Sequence, residues 1–116
     1  MLDRNGILAA DDLPREEVDV PEWNGKVWVS TFWGDDRDRF ITECYARREG
    51  GAMNYVGLSA LIAALTICDE AGNRLFTEAD VVALGKKSGA ALDRVWKVAA
   101  RLNHLLPEDL EELAGN

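Results

Sequence analysis

The sequence is poor in the residues that carry metal and nucleophile chemistry. It has one histidine, His104, and two cysteines, Cys44 and Cys68, whose spacing matches no zinc or redox motif. Because no secretory signal is visible, both cysteines are expected to be reduced and buried as small hydrophobic residues. A nucleophile elbow and a glycine-rich phosphate loop are missing as well. We therefore expect no enzymatic activity, no catalytic residues, no cofactor and no metal.

Basic residues are also scarce. Lys and Arg number 13 against 21 Asp and Glu, which gives a net charge of −8. Nucleic-acid binding relies on a surplus of Lys and Arg that neutralises phosphates, so we expect no nucleic-acid partner. The apolar, uncharged stretch of residues 53–68 is shorter than the ~20 apolar residues that cross a bilayer. It predicts a buried core helix, and we expect no membrane partner.

The chain has the length and composition of a single globular domain. The chain has 116 residues, of which 47% are hydrophobic and 29% charged. Residues 1–14 mix Gly, Asp and Pro with a few apolar side chains, and they predict a flexible arm held by Ile7 and Leu8. Residues 15–116 are predicted to form the domain.

The clearest local signal is the stretch EEVDVPEWNGKVWVSTF, in which two β-rich runs flank Asn24-Gly25. Asn-Gly favours a two-residue type I′ turn with positive φ at both positions, so a β-hairpin is predicted over about 18–31. A two-residue loop pairs Val20 with Val29 and Val18 with Thr31. One face of the hairpin then points toward the helices and carries Val18, Val20, Val27 and Val29, while Pro21, Trp23 and Trp28 lie on the other face.

The rest of the sequence predicts helices. One begins after Gly34 and ends at Gly50-Gly51, and residues 53–68 form the apolar core helix. Thr77 and Asp80 resemble a capping box, and Ser88 is a natural N-cap for a long helix. That helix carries a core stripe of Leu92, Val95, Ala99, Leu102 and Leu106, and Pro107-Glu108-Asp109 begins a last short helix. The predicted fold class is α+β, a mainly α-helical small domain with an N-terminal β-hairpin.

One basic stripe stands out in this acidic chain. Arg94, Lys97, Arg101 and His104 follow one another at steps of three or four along the long helix, with Lys86 and Lys87 beyond its N-terminal end. The stripe is either a solvated face, partly paired with the acidic C-terminal helix, or a docking face for an acidic or amphipathic partner helix. Trp23 and Trp28 are further candidates for partner binding, because exposed Trp often anchors interfaces.

Three segments together resemble a known family. VPEWNGKVWV, CDEAGNRLFTEADVVALGKKSGAALDRVWKVAARLN and the closing EDLEEL are similar to tail assembly chaperones of long-tailed bacteriophages and prophages. The resemblance is strongest over residues 69–103. It implies a non-enzymatic protein of the host cytoplasm, absent from the mature virion. Such proteins bind the tape measure protein, keep it soluble and promote tail tube assembly, with the tail tube protein as a further partner. Many relatives also have a longer, frameshifted form.

Two alternatives remain open at this point. The chain could be a structural minor tail or connector protein that stays in the virion. It could also be a small DNA-binding regulatory domain, because residues 77–103 superficially resemble a helix-turn-helix. The net charge of −8 argues against DNA binding, whereas the basic stripe argues for it.

Overall fold

The computed structural model describes residues 1–105, which form an α+β domain, as predicted. The element order is α1 (Arg4–Ala9), β1 (Arg15–Val20), β2 (Gly25–Ser30), α2 (Gly34–Ala46), β3 (Arg48–Glu49), β4 (Ala52–Met53), α3 (Leu58–Thr66), β5 (Ile67–Cys68), α4 (Val81–Leu84) and α5 (Gly89–Asn103). A three-stranded antiparallel sheet with the order β1-β2-β5 packs against helix α5, which in turn packs against α3.

The predicted hairpin forms, but its predicted register is wrong. Val20 pairs with Gly25 rather than with Val29, and Val18 pairs with Val27. The reason is the loop, which contains a 3-10 turn over Pro21–Trp23 followed by Asn24 in the left-handed conformation at φ 56°. Proline favours the first position of such a turn, so the loop is longer than the expected two residues. Gly25 lies in β2 and is not among the residues with positive φ.

The wrong register nevertheless gives the right buried face. The partner of Val20 shifts from residue 29 to residue 25, which is an even number of positions. Side chains alternate with a period of two along a strand, so an even shift leaves every side chain on the same face. Val18, Val20 and Val29 are accordingly buried and Val27 is half-buried, as expected of the core face.

The type I′-like geometry expected at Asn24-Gly25 occurs instead at Gly50-Gly51. Helix α2 ends at Ala46, earlier than predicted, because Arg48–Glu49 pair with Ala52–Met53, and the two glycines connect these strands, β3 and β4. Their φ angles are 57° and 84°, and positive φ at both central residues is what a type I′ turn requires. A Cβ at either position meets nothing within 4 Å, so backbone conformation, and not space, favours glycine here.

The apolar core helix is shorter than predicted. Helix α3 spans Leu58–Thr66, whereas Met53 lies in β4 and Ile67–Cys68 form β5. At the N-terminal side, Gly57 has a φ of 77° and precedes the first helical residue. At the C-terminal side, Ile67 and Cys68 pair with β2. Because pairing with the sheet satisfies their backbone groups, the chain leaves the helix without unpaired peptide groups in the core.

Helix α5 follows the predictions closely. The backbone N–H of Ala91 donates to Ser88 Oγ at 3.2 Å, which confirms the N-cap. In the short turn before α4, the N–H of Thr77 donates to Asp80 Oδ2 at 2.8 Å, as a capping box requires. Of the predicted core stripe, three residues are buried and Leu102 is half-buried; the buried three are Leu92, Val95 and Ala99. Leu106 and the predicted last helix lie outside the described residues.

The first fourteen residues contain a short helix that was not predicted. Asp3 caps it, since the N–H of Gly6 donates to Asp3 Oδ1 at 2.8 Å. No residue of α1 is buried, and Ile7 and Leu8 are 57% and 69% exposed. The expectation that these two residues hold the arm is therefore wrong, while its flexibility stays a prediction. No helix within residues 1–105 is both long and apolar enough to cross a membrane.

An ion pair is buried between α2 and the segment after β5. Arg74 Nη2 lies 2.7 Å from Asp36 Oδ2, and the two side chains are only 12% and 7% exposed. The Arg74 guanidinium also stacks over Trp33, 4.7 Å from the ring centre. Both cysteines are free and buried, as predicted, and burial raises the pKa of Cys44 to about 11. Within residues 1–105, Asp36 is thus a buried acid with a half-buried counterion, and Ser30 and Thr66 are the other buried polar residues.

Candidate functional site

The two arginines of the predicted basic stripe bind glutamates of the hairpin. Arg94 Nε and Nη2 donate to the two carboxylate oxygens of Glu22 at 2.8 and 3.2 Å. Arg101 Nη1 and Nη2 donate to those of Glu16 at 3.0 and 2.5 Å. Both contacts are bidentate, the geometry in which guanidinium recognises carboxylate best. As the solvated-face interpretation supposed, these stripe residues pair with acids. Their partners among the described residues belong to β1 and the hairpin loop.

These contacts hold both ends of β1 against α5. Hydrogen bonds from Arg101 and Arg94 lower the pKa of Glu16 and Glu22, and both carboxylates therefore stay ionised well into the acidic range. The same bonds raise the pKa of each arginine. Glu16 lies near the start of β1 and Glu22 lies in the loop at its other end. The Arg94–Glu22 pair therefore connects the hairpin loop to α5, and the Arg101–Glu16 pair connects the start of β1 to the same helix.

The other stripe residues have different surroundings. Lys97 Nζ lies 3.0 Å from Asp93 Oδ2, one turn earlier on α5. His104 ends the helix in the left-handed conformation, at φ 56°. Within residues 1–105, neither Lys86 nor Lys87 forms an ion pair, and both are exposed. These two lysines are thus exposed and unpaired within the described residues, whereas Lys97, also exposed, has Asp93 as its partner.

The two candidate tryptophans do not share a face, which corrects that expectation. Trp28 lies in the middle strand of the sheet, half-buried, with the Arg15 guanidinium 6.0 Å from its ring centre. Trp23 lies in the loop, where it packs against the hydrophobic core. The difference follows from the 3-10 turn, which takes Trp23 out of the strand alternation. Partner binding by either residue stays a prediction.

Trp23 forms one wall of an apolar groove of about 450 Å³, which we call the Trp23 groove. The hairpin loop, the segment before α4, α4 itself and the segment after it line the groove with Trp23, Phe76, Asp80, Ala83, Leu84 and Lys87. Leu84 is buried, Trp23 and Phe76 are half-buried, and Ala83 is exposed. A concave surface of this size, mostly apolar and with a few charges, is typical of binding sites.

Sequence reasoning found Trp23 and Lys87 but missed Phe76, Ala83 and Leu84. The available signal was Phe76, a large apolar residue between the acidic turn and the capping box and outside any helical period. Two stretches that are far apart in the sequence, Trp23 in the hairpin loop and residues 76–87, form the groove, so no local pattern predicted it. Chemically the groove is suited to burying apolar side chains. Its one acid, Asp80, already accepts the Thr77 N–H at 2.8 Å, and residues 1–105 contain no cluster of His, Cys, Asp and Glu that could hold a metal.

Comparison with known proteins gives one informative match. No protein-family profile matches the chain, and no curated protein matches it. Among solved structures, the bacteriophage HK97 tail assembly chaperone is similar, with a TM-score of 0.62 and 20% sequence identity. The alignment covers 88% of this chain and 94% of that one. The chain therefore has the fold of that tail assembly chaperone over most of its length.

Proposed function

We propose that the chain is a non-enzymatic tail assembly chaperone of a long-tailed bacteriophage or prophage. It binds the tape measure protein, keeps it soluble and promotes assembly of the tail tube around it. The observation that carries this proposal is the shared fold, which extends over 88% of the chain. Shared fold alone does not fix function, so the surface must also suit the role.

The surface suits a protein that keeps an apolar partner soluble. A net charge of −8 adds repulsion between complexes and opposes aggregation. The Trp23 groove offers a place where apolar side chains of a partner can be buried. Arg94 and Arg101 are bound to glutamates, which leaves fewer cations for phosphate contacts and weakens the DNA-binding alternative. Under this proposal the protein acts in the host cytoplasm, with the tail tube protein as a further partner, and is absent from the mature virion.

Co-expression tests the proposal directly. The tape measure protein of the genome that encodes this chain should precipitate when expressed alone and should stay soluble with the chain. An unrelated acidic protein of similar size and charge is the control for unspecific effects. Failure of the wild-type chain to bind the tape measure protein or to keep it soluble contradicts the proposal.

The place of the protein after assembly separates a chaperone from a structural protein. Mass spectrometry of purified virions should find the tape measure and tube proteins but not this chain. Copies present at a level comparable to the tape measure protein would support the alternative of a minor tail or connector protein.

A further inference from the structure

We propose that the Trp23 groove binds an amphipathic helix of the tape measure protein, with apolar side chains in the groove and an acidic residue beside Lys86 and Lys87. This inference rests on the proposed function for the identity of the partner. The site and the chemistry of the bound segment come from the geometry and charges of the groove.

The walls of the groove are fixed before any partner arrives. Trp23 packs on the core, and the neighbouring Glu22 is bound in bidentate fashion by Arg94 of α5. On the opposite side, Leu84 is buried at the end of α4, and the Thr77–Asp80 hydrogen bond holds the turn that leads into this helix. A preformed site loses little conformational entropy on binding, which favours affinity.

The secondary structure around the groove indicates what form the bound segment takes. None of the lining residues lies in a strand, since Trp23 is in a 3-10 turn and Ala83 and Leu84 are in α4. A partner cannot add a strand here, because that mode needs the unpaired backbone groups of a sheet edge. Burial of side chains from one face of an amphipathic helix suits this groove, because its lining is mostly apolar and its charged residues lie at one edge.

The charges around the groove indicate the polarity of that helix. Lys87 lines the groove and Lys86 precedes it, both exposed and without an ion pair in residues 1–105. Asp80 also lines the groove and accepts the Thr77 N–H, so this edge carries two lysines and one acid on a chain whose net charge is −8. A helix with a carboxylate next to its apolar face is complementary to such an edge.

Two neighbouring substitutions on α4 test the apolar part of the site. Ala83→Glu places a charged side chain in the groove, whereas Val82→Glu adds the same charge at a residue that is 76% exposed and does not line the groove. Pull-down and titration with the co-expressed tape measure protein should show affinity reduced at least about tenfold for Ala83→Glu. Val82→Glu should stay within about twofold of the wild type, and thermal unfolding checks that both variants fold.

A second pair of variants tests the acidic residue of the partner. The double substitution Lys86→Glu/Lys87→Glu should weaken binding by about tenfold or more, and added salt should reduce wild-type affinity. Arg37→Glu, at an exposed position of α2, is a charge reversal away from the groove and should bind like the wild type. This pair keeps the proposal testable even if Ala83→Glu does not fold.

The outcomes distinguish the inference from the proposed function. If the wild-type chain does not bind the tape measure protein, the proposed function fails. If the wild type binds and Ala83→Glu and the double lysine variant bind equally well, the proposed function stands and the groove is not the site. Equal loss with Val82→Glu or Arg37→Glu also overturns the site. If Ala83→Glu dissociates an oligomer of the chain and leaves tape measure binding intact, the groove holds a second copy and the inference is wrong.

Discussion

Replacing Asp36 by Asn should destabilise the protein more than replacing its partner Arg74 by Met. The two side chains form a 2.7 Å ion pair and are 7% and 12% exposed. Burial is the main cause of a lowered pKa of Arg74, so this cation depends on its counterion. Within residues 1–105, Nε and Nη1 of Arg74 have no hydrogen-bond partner. Without the charge of Asp36, the guanidinium keeps the ring of Trp33, 4.7 Å away, and the weaker attraction of the Asp35 carboxylate.

The structure indicates which of the two substitutions lowers the free energy of unfolding more. Removing one partner of a buried ion pair costs ~3–5 kcal/mol, and stacking on Trp33 puts Asp36→Asn near the low end, about 3 kcal/mol. After Arg74→Met, Asp36 still has Arg39 Nη1 at 3.1 Å and lies in the first turn of α2. We therefore expect a loss of about 1–2 kcal/mol for Arg74→Met. The double variant should cost about 2 kcal/mol less than the sum, because it leaves no unpaired buried charge.

Urea unfolding followed by tryptophan fluorescence measures these free energies, with equal m-values as the condition for comparing them. Asp35→Asn is the control, since Asp35 is an exposed acid in the same turn and its change should stay within about 0.5 kcal/mol. Equal losses for Asp36→Asn and Arg74→Met, or additivity of the two within ~0.5 kcal/mol, would show that the counterion does not stabilise the buried arginine.

Further predictions concern the hairpin loop, the buried thiol and the acid range. Asn24→Val should destabilise by about 1–2 kcal/mol, because φ is 56° there and a β-branched residue resists positive φ. Gly25→Val should change the thermal midpoint little, since a Cβ there is 4.0 Å from its nearest neighbour; a larger loss than for Asn24→Val would contradict the loop geometry. Cys44, with a pKa raised to about 11, should react with an aromatic disulfide reagent at pH 8 only as fast as the protein unfolds, so rapid native-state labelling would contradict its burial. The lowered pKa values of Glu16 and Glu22 contribute stability above their ordinary value of 4.5 that is lost as the pH falls through the folded values. Acid titration of the Glu16→Gln/Glu22→Gln variant should accordingly show a weaker pH dependence than the wild type.

Features that depend on neighbouring residues were predictable from the sequence. The N-cap at Ser88 and the Thr77–Asp80 contact each involve residues within three positions of each other. The α+β class followed from a β-rich start and helical periods later in the chain. The alternation of valines identified the buried face of the hairpin even though the register was wrong.

Features that depend on distant contacts were not predictable. Helix α3 ends at Thr66 because Ile67 and Cys68 pair with β2, about 40 residues earlier in the chain, and no local signal separates them from the helix. Two turns were compatible with the hairpin sequence, a two-residue turn at Asn24-Gly25 and a longer turn that begins at Pro21. The structure has the longer turn, and this turn sets the register. Propensity rules state both preferences but not their outcome.

The same limit applies to the candidate site. The period of three and four residues placed Arg94 and Arg101 on one face of α5, but their glutamate partners lie 72 and 85 positions away. Trp23 was recognised as a partner candidate, whereas Phe76 and Leu84 join it only because residues 76–87 pack beside the hairpin loop. The sequence thus predicted which kinds of residues the surface carries better than it predicted which of them lie together.

Strand β1 and helix α5 are far apart in the sequence, and this distance affects the order in which the protein folds during synthesis. Glu16 and Arg101 are 85 positions apart, so at ~5–20 residues per second the ribosome needs on the order of ten seconds to make the second after the first. During that time the valine face of the hairpin lacks the helix that covers it. The opposite face and the loop carry Glu17, Asp19 and Glu22, whose like charges hinder edge-to-edge pairing of nascent chains. Slow, late docking of α5 should therefore be the step at which the nascent chain is most exposed to aggregation.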